Sequence, residues 1–416
     1  MVIFVSKREW YLDVFLLSLM IFSYMAFGAN HEQNVIRGII IASVFFVVSV
    51  KYFLRNGFTI SSNIKKSLII WIVYFFGIYF IYGNLYFANK STFGGNDTTF
   101  VFFIFVIACV LLLSKFRSEE LFRYMRYVYG ITIVMYVSYL MYMFKDATLL
   151  DLVGVYRLGD GVEGELLING NSNNIAIYMG VLSSIWFYDL LCEGKIKFLV
   201  PVLLCTVVIF LTGSKKGILM LFLYLLIFYC VGQRISMKKI MIFIALLLGF
   251  GYALQYNEML NAMVGERFFN FLSIFLEGDK TINSGSTDLR MAMYEIGVNM
   301  WLESPFLGSG IGAFKEYSGL RLYSHNTYIE LLTTFGMLGF ILYYWYPVYL
   351  FTTSIINHKL IKNYVYIFGV LSVTFFIDTA AVRFHDYVSW LNIIFVSIYV
   401  NSMHFNMDVR YKQRGI

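Results

Sequence analysis

Long apolar runs separated by short polar connections form the main pattern of this chain. A membrane-spanning helix needs roughly 20 predominantly apolar residues, and by that rule the sequence predicts about twelve spans. They lie near residues 10–28, 35–53, 67–87, 98–114, 127–144, 174–191, 198–213, 217–232, 239–256, 327–352, 363–382 and 387–404. The predicted fold class is therefore an all-α polytopic membrane protein, with one multi-pass membrane domain over residues 1–416.

Two polar segments are much longer than the other connections. The first covers residues 145–173 and is acidic, and the second covers residues 257–326. Within the second, apolar side chains at helical spacing predict an amphipathic helix that begins near Thr287 and ends before Pro305. The apolar stripe consists of Leu289, Met293, Ile296 and Met300. A polar insertion of this size between spans is where we expect the chemistry.

Composition agrees with the membrane class. Hydrophobic residues make up 59% of the chain, charged residues 14%, and the mean hydropathy is +0.71, which is far from the profile of a soluble globular protein. No small-residue cleavage site follows the first apolar run, so we expect that span to be retained. The four cysteines show no spacing typical of zinc or of a disulfide framework, and we interpret them as packing residues.

Charge sets the expected orientation. Most of the 32 lysines and arginines fall in alternate connections, which include Lys65, Arg123 and Lys238. Because cytoplasmic loops are enriched in lysine and arginine, we expect these connections and both termini to be cytoplasmic, and the two long polar segments to be external. The net charge of +7 therefore reflects topology and does not indicate nucleic-acid binding. Cations on the external side against this trend indicate an anionic ligand there.

Two groups of external cations stand out. Lys215 and Lys216 lie in the turn TGSKKG between the seventh and eighth spans. Such ammonium groups can extend to the membrane interface, or they can hold a phosphate with the help of the helix that starts near Gly217. Arg290 lies off the apolar stripe, on a face with Tyr294 and Trp301. It is either a solvated surface residue or an anion contact.

His325 is the clearest candidate for acid–base chemistry. It lies at the external start of a span, beside Asn326, which can cap that helix. A histidine with a pKa near neutrality can take a proton from a sugar hydroxyl, although an interfacial histidine is the simpler interpretation. Glu330, farther along the same helix, either orients a partner or faces the interior of the bundle.

Three further stretches need an interpretation. Gly308, Gly310 and Gly312 resemble a nucleotide-binding loop, but no strand–helix unit surrounds them, so we interpret them as a tight turn. Arg383 lies in the last short external turn, where it either adds a cation to the site or belongs to a plain turn. Arg157 precedes an asparagine-rich stretch, residues 169–174, that is also suited to helix capping.

The order of these elements resembles the C-terminal half of the bacterial O-antigen polymerase and ligase family. The resemblance covers roughly residues 155–350 and rests on three pieces: the Arg290 helix, the stretch SPFLGSG, and SHNTYIELL followed by FGMLG. The family commonly has Ser-Arg-x-Gly where this chain has Ser-Lys-Lys-Gly at residues 214–217. The lysine keeps the charge but loses the bidentate fork of an arginine.

The resemblance implies glycosyl transfer on the outer face of the bacterial cytoplasmic (inner) membrane, with a glycan on a polyprenyl diphosphate as donor. His325 and Arg290 are the implied catalytic residues: the family's equivalent histidine is essential, and its arginine contacts the lipid diphosphate. We predict that the remaining candidates bind substrate: Lys215, Lys216, Arg157, Arg383, Glu330 and Asn326. We expect no cofactor and no metal, because no acidic pair like that of nucleotide-sugar enzymes appears on the external side.

Three functions fit this reading. A polymerase of O-antigen or capsular repeat units is favoured, because nothing basic and extensive indicates docking on a lipopolysaccharide core. An O-antigen ligase, which transfers the glycan to lipid A core or protein, is the first alternative. A lipid-linked-oligosaccharide flippase is the second, and it would carry charges at mid-bilayer depth and broken helices. The expected partners are the glycan donor and acceptor, membrane lipid and a chain-length regulator, with no nucleic acid.

Overall fold

The computed structural model describes most of the chain. The described residues are 7–27, 31–56, 97–116, 118–143, 145, 172–231, isolated positions between 241 and 265, 285–310, 312–319, 323–361, 363–383 and 386–413. They are helical, with no β-strand among them, so the all-α class is confirmed. The helices are α1 Lys7–Ala26, α2 His31–Asn56, α3 Asp97–Leu113, α4 Ser118–Met143, α5 Ser172–Leu191, α6 Leu199–Leu211, α7 Lys215–Cys230, α8 Gly285–Glu303, α9 Ala313–Tyr317, α10 Thr327–Ile356, α11 Tyr364–Asp378 and α12 Tyr387–Gln413.

All of these helices except α8 and α9 coincide with predicted spans, but the number of spans is not confirmed. Within the described residues, four helices are long and apolar enough to cross a membrane: Lys7–Ala26, Glu32–Arg55, Ser172–Leu191 and Thr327–Ile356. Shorter apolar helices lie at Val101–Leu113, Ile196–Leu211, Tyr364–Asp378 and Tyr387–Met403. The predicted span 67–87, most of 239–256 and almost all of the acidic segment lie outside the described residues.

The chain forms two compact units. The first, here called the site unit, comprises Met1–Met20, Gly38–Met125 and Gly285–Ile416. In it, α8 and α9 pack on α10, α10 packs on α11, and α12 packs on α3. The second, here called the lysine unit, comprises Ile21–Arg37 and Arg126–Ser284, and its main packing is that of α5 against α6 and α7.

Each unit contains a carboxylate that is fully buried and bridged by two cations. In the site unit, Asp13 accepts hydrogen bonds from Lys51 at 2.8 Å and Lys115 at 3.0 Å. In the lysine unit, Asp189 accepts from Arg126 at 2.7 Å and from Lys195 at 2.9 Å. A buried carboxylate is costly unless it is paired in this way, so both clusters fix one helix against neighbouring segments.

The amphipathic helix α8 lies on α10. Its predicted stripe is confirmed from Met293 to Met300: both side chains are buried and form a small core with Ala313 and Phe314. The helix begins at Gly285, two residues before the predicted start, and ends at Glu303. At Gly297 the two helices approach so closely that a Cβ atom would lie 2.3 Å from Ile329. Small residues allow this kind of close helix packing.

Helix α10 is broken at Gly336, whereas the sequence predicted a continuous span. Gly336 has φ 62° and ψ −166°, a conformation that is essentially restricted to glycine. Residues 305–310 pair with the break and satisfy its backbone groups. Ser309 and Gly310 donate to the carbonyls of Thr333 and Thr334 at 2.7 and 2.9 Å. In return, Pro305 and Phe306 accept from the N–H groups of Met337 and Leu338 at 2.8 and 3.2 Å.

The glycine-rich stretch is therefore the turn that the sequence predicted, with an additional role in the fold. Gly308, Gly310 and Gly312 all have positive φ. A Cβ atom on Gly308 would lie 2.5 Å from the backbone nitrogen of Gly336. The two glycines thus let a loop and a broken helix exchange hydrogen bonds, and this contact ties the end of α8 to α10.

We expect Gly336→Ala to lower the melting temperature of the purified protein substantially. The alanine Cβ would lie 2.4 Å from the Phe306 backbone, and backbone strain alone costs about 1–3 kcal/mol. Gly319→Ala is the matched control, because Gly319 also has positive φ, at 68°, but a Cβ there meets no atom within 4 Å. Equal melting temperatures for the two variants would contradict the paired break.

Candidate active site

His325 lies on a short loop that leads into α10. It is the one non-glycine residue with positive φ, at 56°, in the part of the chain that the structure describes. A residue with a side chain adopts this conformation when its neighbours fix it there. The imidazole is half-buried and packs against Tyr323, with ring centroids 4.4 Å apart. The histidine is thus both accessible and held in one backbone geometry.

Asn326 caps α10, as the sequence predicted. Its side-chain oxygen accepts hydrogen bonds from the N–H groups of Tyr328 at 2.9 Å and Ile329 at 3.2 Å. Its amide nitrogen donates to the carbonyl of Thr379 at 3.2 Å. Both ends of the amide therefore serve the fold beside His325. The predicted contact of Asn326 with substrate stays a prediction.

Glu330 holds the His325 loop through a hydrogen bond to the loop backbone. It is 2% exposed, and its carboxylate accepts a hydrogen bond from the backbone N–H of Ser324 at 2.8 Å. The hydroxyl of Ser324 in turn donates to the carbonyl of Asn326 at 2.9 Å. The sequence left two roles open for Glu330: it orients a partner, or it faces the interior of the bundle. The observed hydrogen bond supports the first role, with the His325 loop as the partner. Its contact with substrate stays a prediction.

Tyr323 gives the site a hydroxyl that stays protonated. Partial burial raises the pKa of Tyr323, and the negative charge of Glu330 raises it further. The ring therefore stays neutral beside the imidazole at physiological pH. A neutral aromatic neighbour packs against His325 without adding charge to the site.

Arg383 differs most from its predicted role. The sequence predicted an external cation that binds substrate, but the guanidinium is 3% exposed and pairs with Asp378 at 2.8 Å. Burial disfavours its charge, yet Asp378 and Asp386 outweigh that effect, so the pKa of Arg383 is raised. A contact with a diphosphate would require this buried pair to open. Asp386 caps α12 through the N–H groups of Val388 and Ser389.

Helix α8 and the His325 loop both contact the carbonyl of Thr379. The hydroxyl of Tyr294 donates to the Thr379 carbonyl at 3.3 Å, and Asn326 donates to the same oxygen. Arg290 precedes Tyr294 by four residues, so both lie on one face of α8. Arg290 is half-buried and forms no ion pair with an acidic residue among those described. The face of α8 that carries Tyr294 and Arg290 therefore lies near the His325 loop.

An open groove of about 560 Å³ runs along α8 beside this meeting point. Its lining combines apolar side chains with an aromatic ring, a carboxylate and an amide: Met291, Ala292, Tyr294, Glu295, Val298 and Asn299. Tyr294 both lines the groove and contacts Thr379, to which Asn326 also donates.

The two lysines lie at the start of α7 in the lysine unit. Ser214 caps the helix, accepting from the Gly217 N–H at 3.4 Å and donating to Asn173 at 2.8 Å. The helix begins at Lys215, two residues before the predicted start. Lys215 is exposed and Lys216 is half-buried. Two cations in a first turn oppose the helix dipole.

Gly217 has a packing role in the same turn. A Cβ atom there would lie 2.5 Å from Ala176 on α5 and 2.8 Å from Ile209 on α6. The glycine therefore lets α7 begin in close contact with both helices. Arg157, the remaining candidate, lies outside the described residues. The described residues contain no group of three or more His, Cys, Asp or Glu that could hold a metal.

The described residues form apolar helices and a polar loop, and this loop carries His325 at the start of α10. These features define a helical membrane protein. Residues 200–344 match the family model described as O-antigen ligase. The matched segment contains Lys215, Arg290 and His325, and the match confirms the resemblance to the O-antigen ligase and polymerase family. Comparison with curated proteins found no match.

Proposed function

We propose that this protein polymerises oligosaccharide repeat units carried on polyprenyl diphosphate, for O-antigen or capsular polysaccharide. The family match supports a glycosyltransferase, because members of the family are membrane glycosyltransferase-like enzymes. The observation that carries the proposal is the His325 loop: a half-buried imidazole on a backbone segment that Asn326 and Glu330 hold in place, near the face of α8 that carries Tyr294 and Arg290. A base next to a cation-bearing face suits the transfer of a glycan from a diphosphate.

The reaction is a single displacement in this proposal. His325 takes the proton from an acceptor hydroxyl as its oxygen forms a bond to the anomeric carbon of the donor. The bond between that carbon and the diphosphate oxygen breaks, and the lipid diphosphate leaves with the electron pair. Arg290 stabilises the negative charge that develops on the leaving group. We assign Lys215 and Lys216 to diphosphate binding from their charge and their place in the sequence, and the proposed reaction uses no metal or cofactor.

The proposed setting is the bacterial inner membrane, with the site on its outer face and both termini in the cytoplasm. This orientation rests on the distribution of lysine and arginine along the chain. The cations that pair with Asp13 and Asp189 all belong to connections assigned to the cytoplasmic side. A polyprenyl-linked glycan would then reach His325 after it has crossed the membrane.

An O-antigen ligase is the second candidate, because the matched family model carries that description. Deletion of the gene followed by a polysaccharide gel separates the candidates. A core or lipid that carries a single repeat unit supports the polymerase. Long lipid-linked chains together with an uncapped core support the ligase.

A flippase is the third candidate. For a flippase, the same gel would show loss of every external glycan intermediate. The broken helix α10 is a feature that transporters share. Here, however, the backbone groups at the break pair with residues 305–310 of the chain itself. In a transporter, a break of this kind leaves backbone groups for substrate or ions, so the pairing favours an enzyme.

We expect Lys215→Ala and Lys216→Ala each to lower the rate of polymerisation at least about tenfold, by loss of charge at the diphosphate. Lys215→Arg should be better tolerated, because the charge remains. Lys197→Ala is the control, since this exposed lysine lies in a connection assigned to the cytoplasmic side. The measurement is turnover by purified protein, and wild-type rates in both alanine variants would show that the lysines only face the membrane interface.

A further inference from the structure

A buried ion pair lies near the His325 loop. Asp378 and Arg383 are 1% and 3% exposed and lie 2.8 Å apart. Both have further partners: the hydroxyl of Tyr344 donates to Asp378 at 3.0 Å, and Arg383 donates to Ser389 at 3.0 Å. Two buried charges cost more in desolvation than their attraction returns unless other hydrogen bonds satisfy them. Because apolar side chains of similar volume are often at least as stabilising as a buried ion pair, we consider a role for this pair beyond packing.

Thr327 links this pair to the histidine. It is fully buried, opens α10 and follows His325 by two residues. Its hydroxyl lies 3.3 Å from the Asp378 carboxylate, donates to the Ala381 carbonyl and accepts the backbone N–H of Arg383 at 3.1 Å. One side chain therefore joins the ion pair to the strained backbone at His325.

The strained backbone is held from two directions. Glu330 fixes Ser324 on the N-terminal side of His325, and Thr327 fixes the chain on its C-terminal side. We propose that Asp378 and Arg383 are positioning residues that act through Thr327 to aim the His325 imidazole at the acceptor hydroxyl. This inference rests on the proposed function of His325 as general base. It assigns roles to two residues that touch neither substrate nor the reacting atoms.

Thr327→Val tests the link while leaving both charged side chains of the ion pair in place. Valine keeps the shape of threonine, but it removes the hydroxyl that connects Asp378 and Arg383 to α10. We expect kcat to fall about 10- to 100-fold, because small misplacements of a catalytic group have effects of this size. The KM for the lipid-linked repeat unit should stay near that of the wild type, and Thr327→Ser should restore kcat.

Thr333→Val is the matched control on the same helix. The hydroxyl of Thr333 is also buried, but it donates to carbonyls of its own helix, those of Ile329 at 3.0 Å and Glu330 at 3.1 Å. The same substitution there removes no contact with the ion pair. We expect Thr333→Val to keep wild-type kcat and KM.

A second readout does not depend on activity. The rate at which diethyl pyrocarbonate modifies His325, followed on its peptide by mass spectrometry, should differ from wild type in Thr327→Val and stay unchanged in Thr333→Val. Wild-type kcat together with a wild-type modification rate in Thr327→Val would overturn the inference. If His325→Gln remains active, His325 is not the general base. The rate of His325 modification in Thr327→Val then decides by itself whether Asp378 and Arg383 position the imidazole.

Discussion

His325→Gln should make little or no polymer while the protein still inserts into the membrane and binds the lipid-linked donor. Glutamine can form hydrogen bonds, but it cannot take up a proton near neutral pH, so the acceptor hydroxyl loses its base. Removal of a general base typically lowers a rate about 10²–10⁴-fold. The measurement is turnover of lipid-linked repeat units by purified protein, with donor binding measured separately.

His358→Gln is the control for this variant. His358 is exposed just beyond the other end of α10, where its ring bonds to the Ile355 carbonyl at 3.0 Å. Its substitution should leave the rate unchanged. If His325→Gln keeps more than about a tenth of the wild-type rate, the base lies elsewhere, and Asp386 and then Glu330 are the acids to replace next.

Arg290→Ala should lower kcat about 10²–10³-fold, the loss typical when one group that stabilises developing negative charge is removed. Arg290→Lys should fall between the wild type and the alanine variant, because it keeps the charge but loses the planar fork. The neighbouring contact of Tyr294 with Thr379 should survive both changes, since it does not involve the guanidinium. Initial rates at saturating donor measure the effect.

Lys315→Ala is the matched control for the loss of a cation in the site unit. Lys315 is half-buried on the short helix α9, away from the face of α8 that carries Arg290. We expect its rate to stay within about twofold of wild type, as for most surface substitutions. Equal losses of rate in Arg290→Ala and Lys315→Ala would show that the total positive charge of the site unit, and not a contact made by Arg290, affects the rate.

The sequence predicted the helices and the Asn326 cap because those signals are local. Apolar runs of sufficient length define spans, and the stripe through Met293 and Met300 defines the buried face of α8. Asn326 before an apolar run is a local capping signal, and the structure confirms it. These features need only neighbouring residues, so one sequence is enough to predict them.

The break in α10 could not be predicted in the same way. The stretch around Gly336 is apolar and helical in pattern, and the break depends on pairing with residues 305–310, nearly thirty positions earlier. Only the fold brings the two segments together. The available signal was a glycine inside each segment, which is compatible with many other arrangements.

Asp378 was also missed, and with it the true partner of Arg383. Asp378 falls within the predicted span 363–382 and Arg383 follows that span, so the sequence places Arg383 in an external turn, either as a cation of the site or as a plain turn residue. An acid at the end of an apolar helix is costly unless paired, and an arginine five residues later was the nearest partner. That physical argument was available from the sequence. The link through Thr327 was not, because it joins residues more than fifty positions apart.

The most direct test of the central claim uses purified protein in a membrane mimic with one substrate, a repeat unit on polyprenyl diphosphate. We predict that wild-type protein will extend the lipid-linked glycan and release polyprenyl diphosphate in equal amounts, without nucleotide sugar or added metal, and that His325→Gln will do neither. Extension that requires a nucleotide sugar would contradict the proposed polymerase, and equal product from the His325→Gln protein would contradict His325 as its general base.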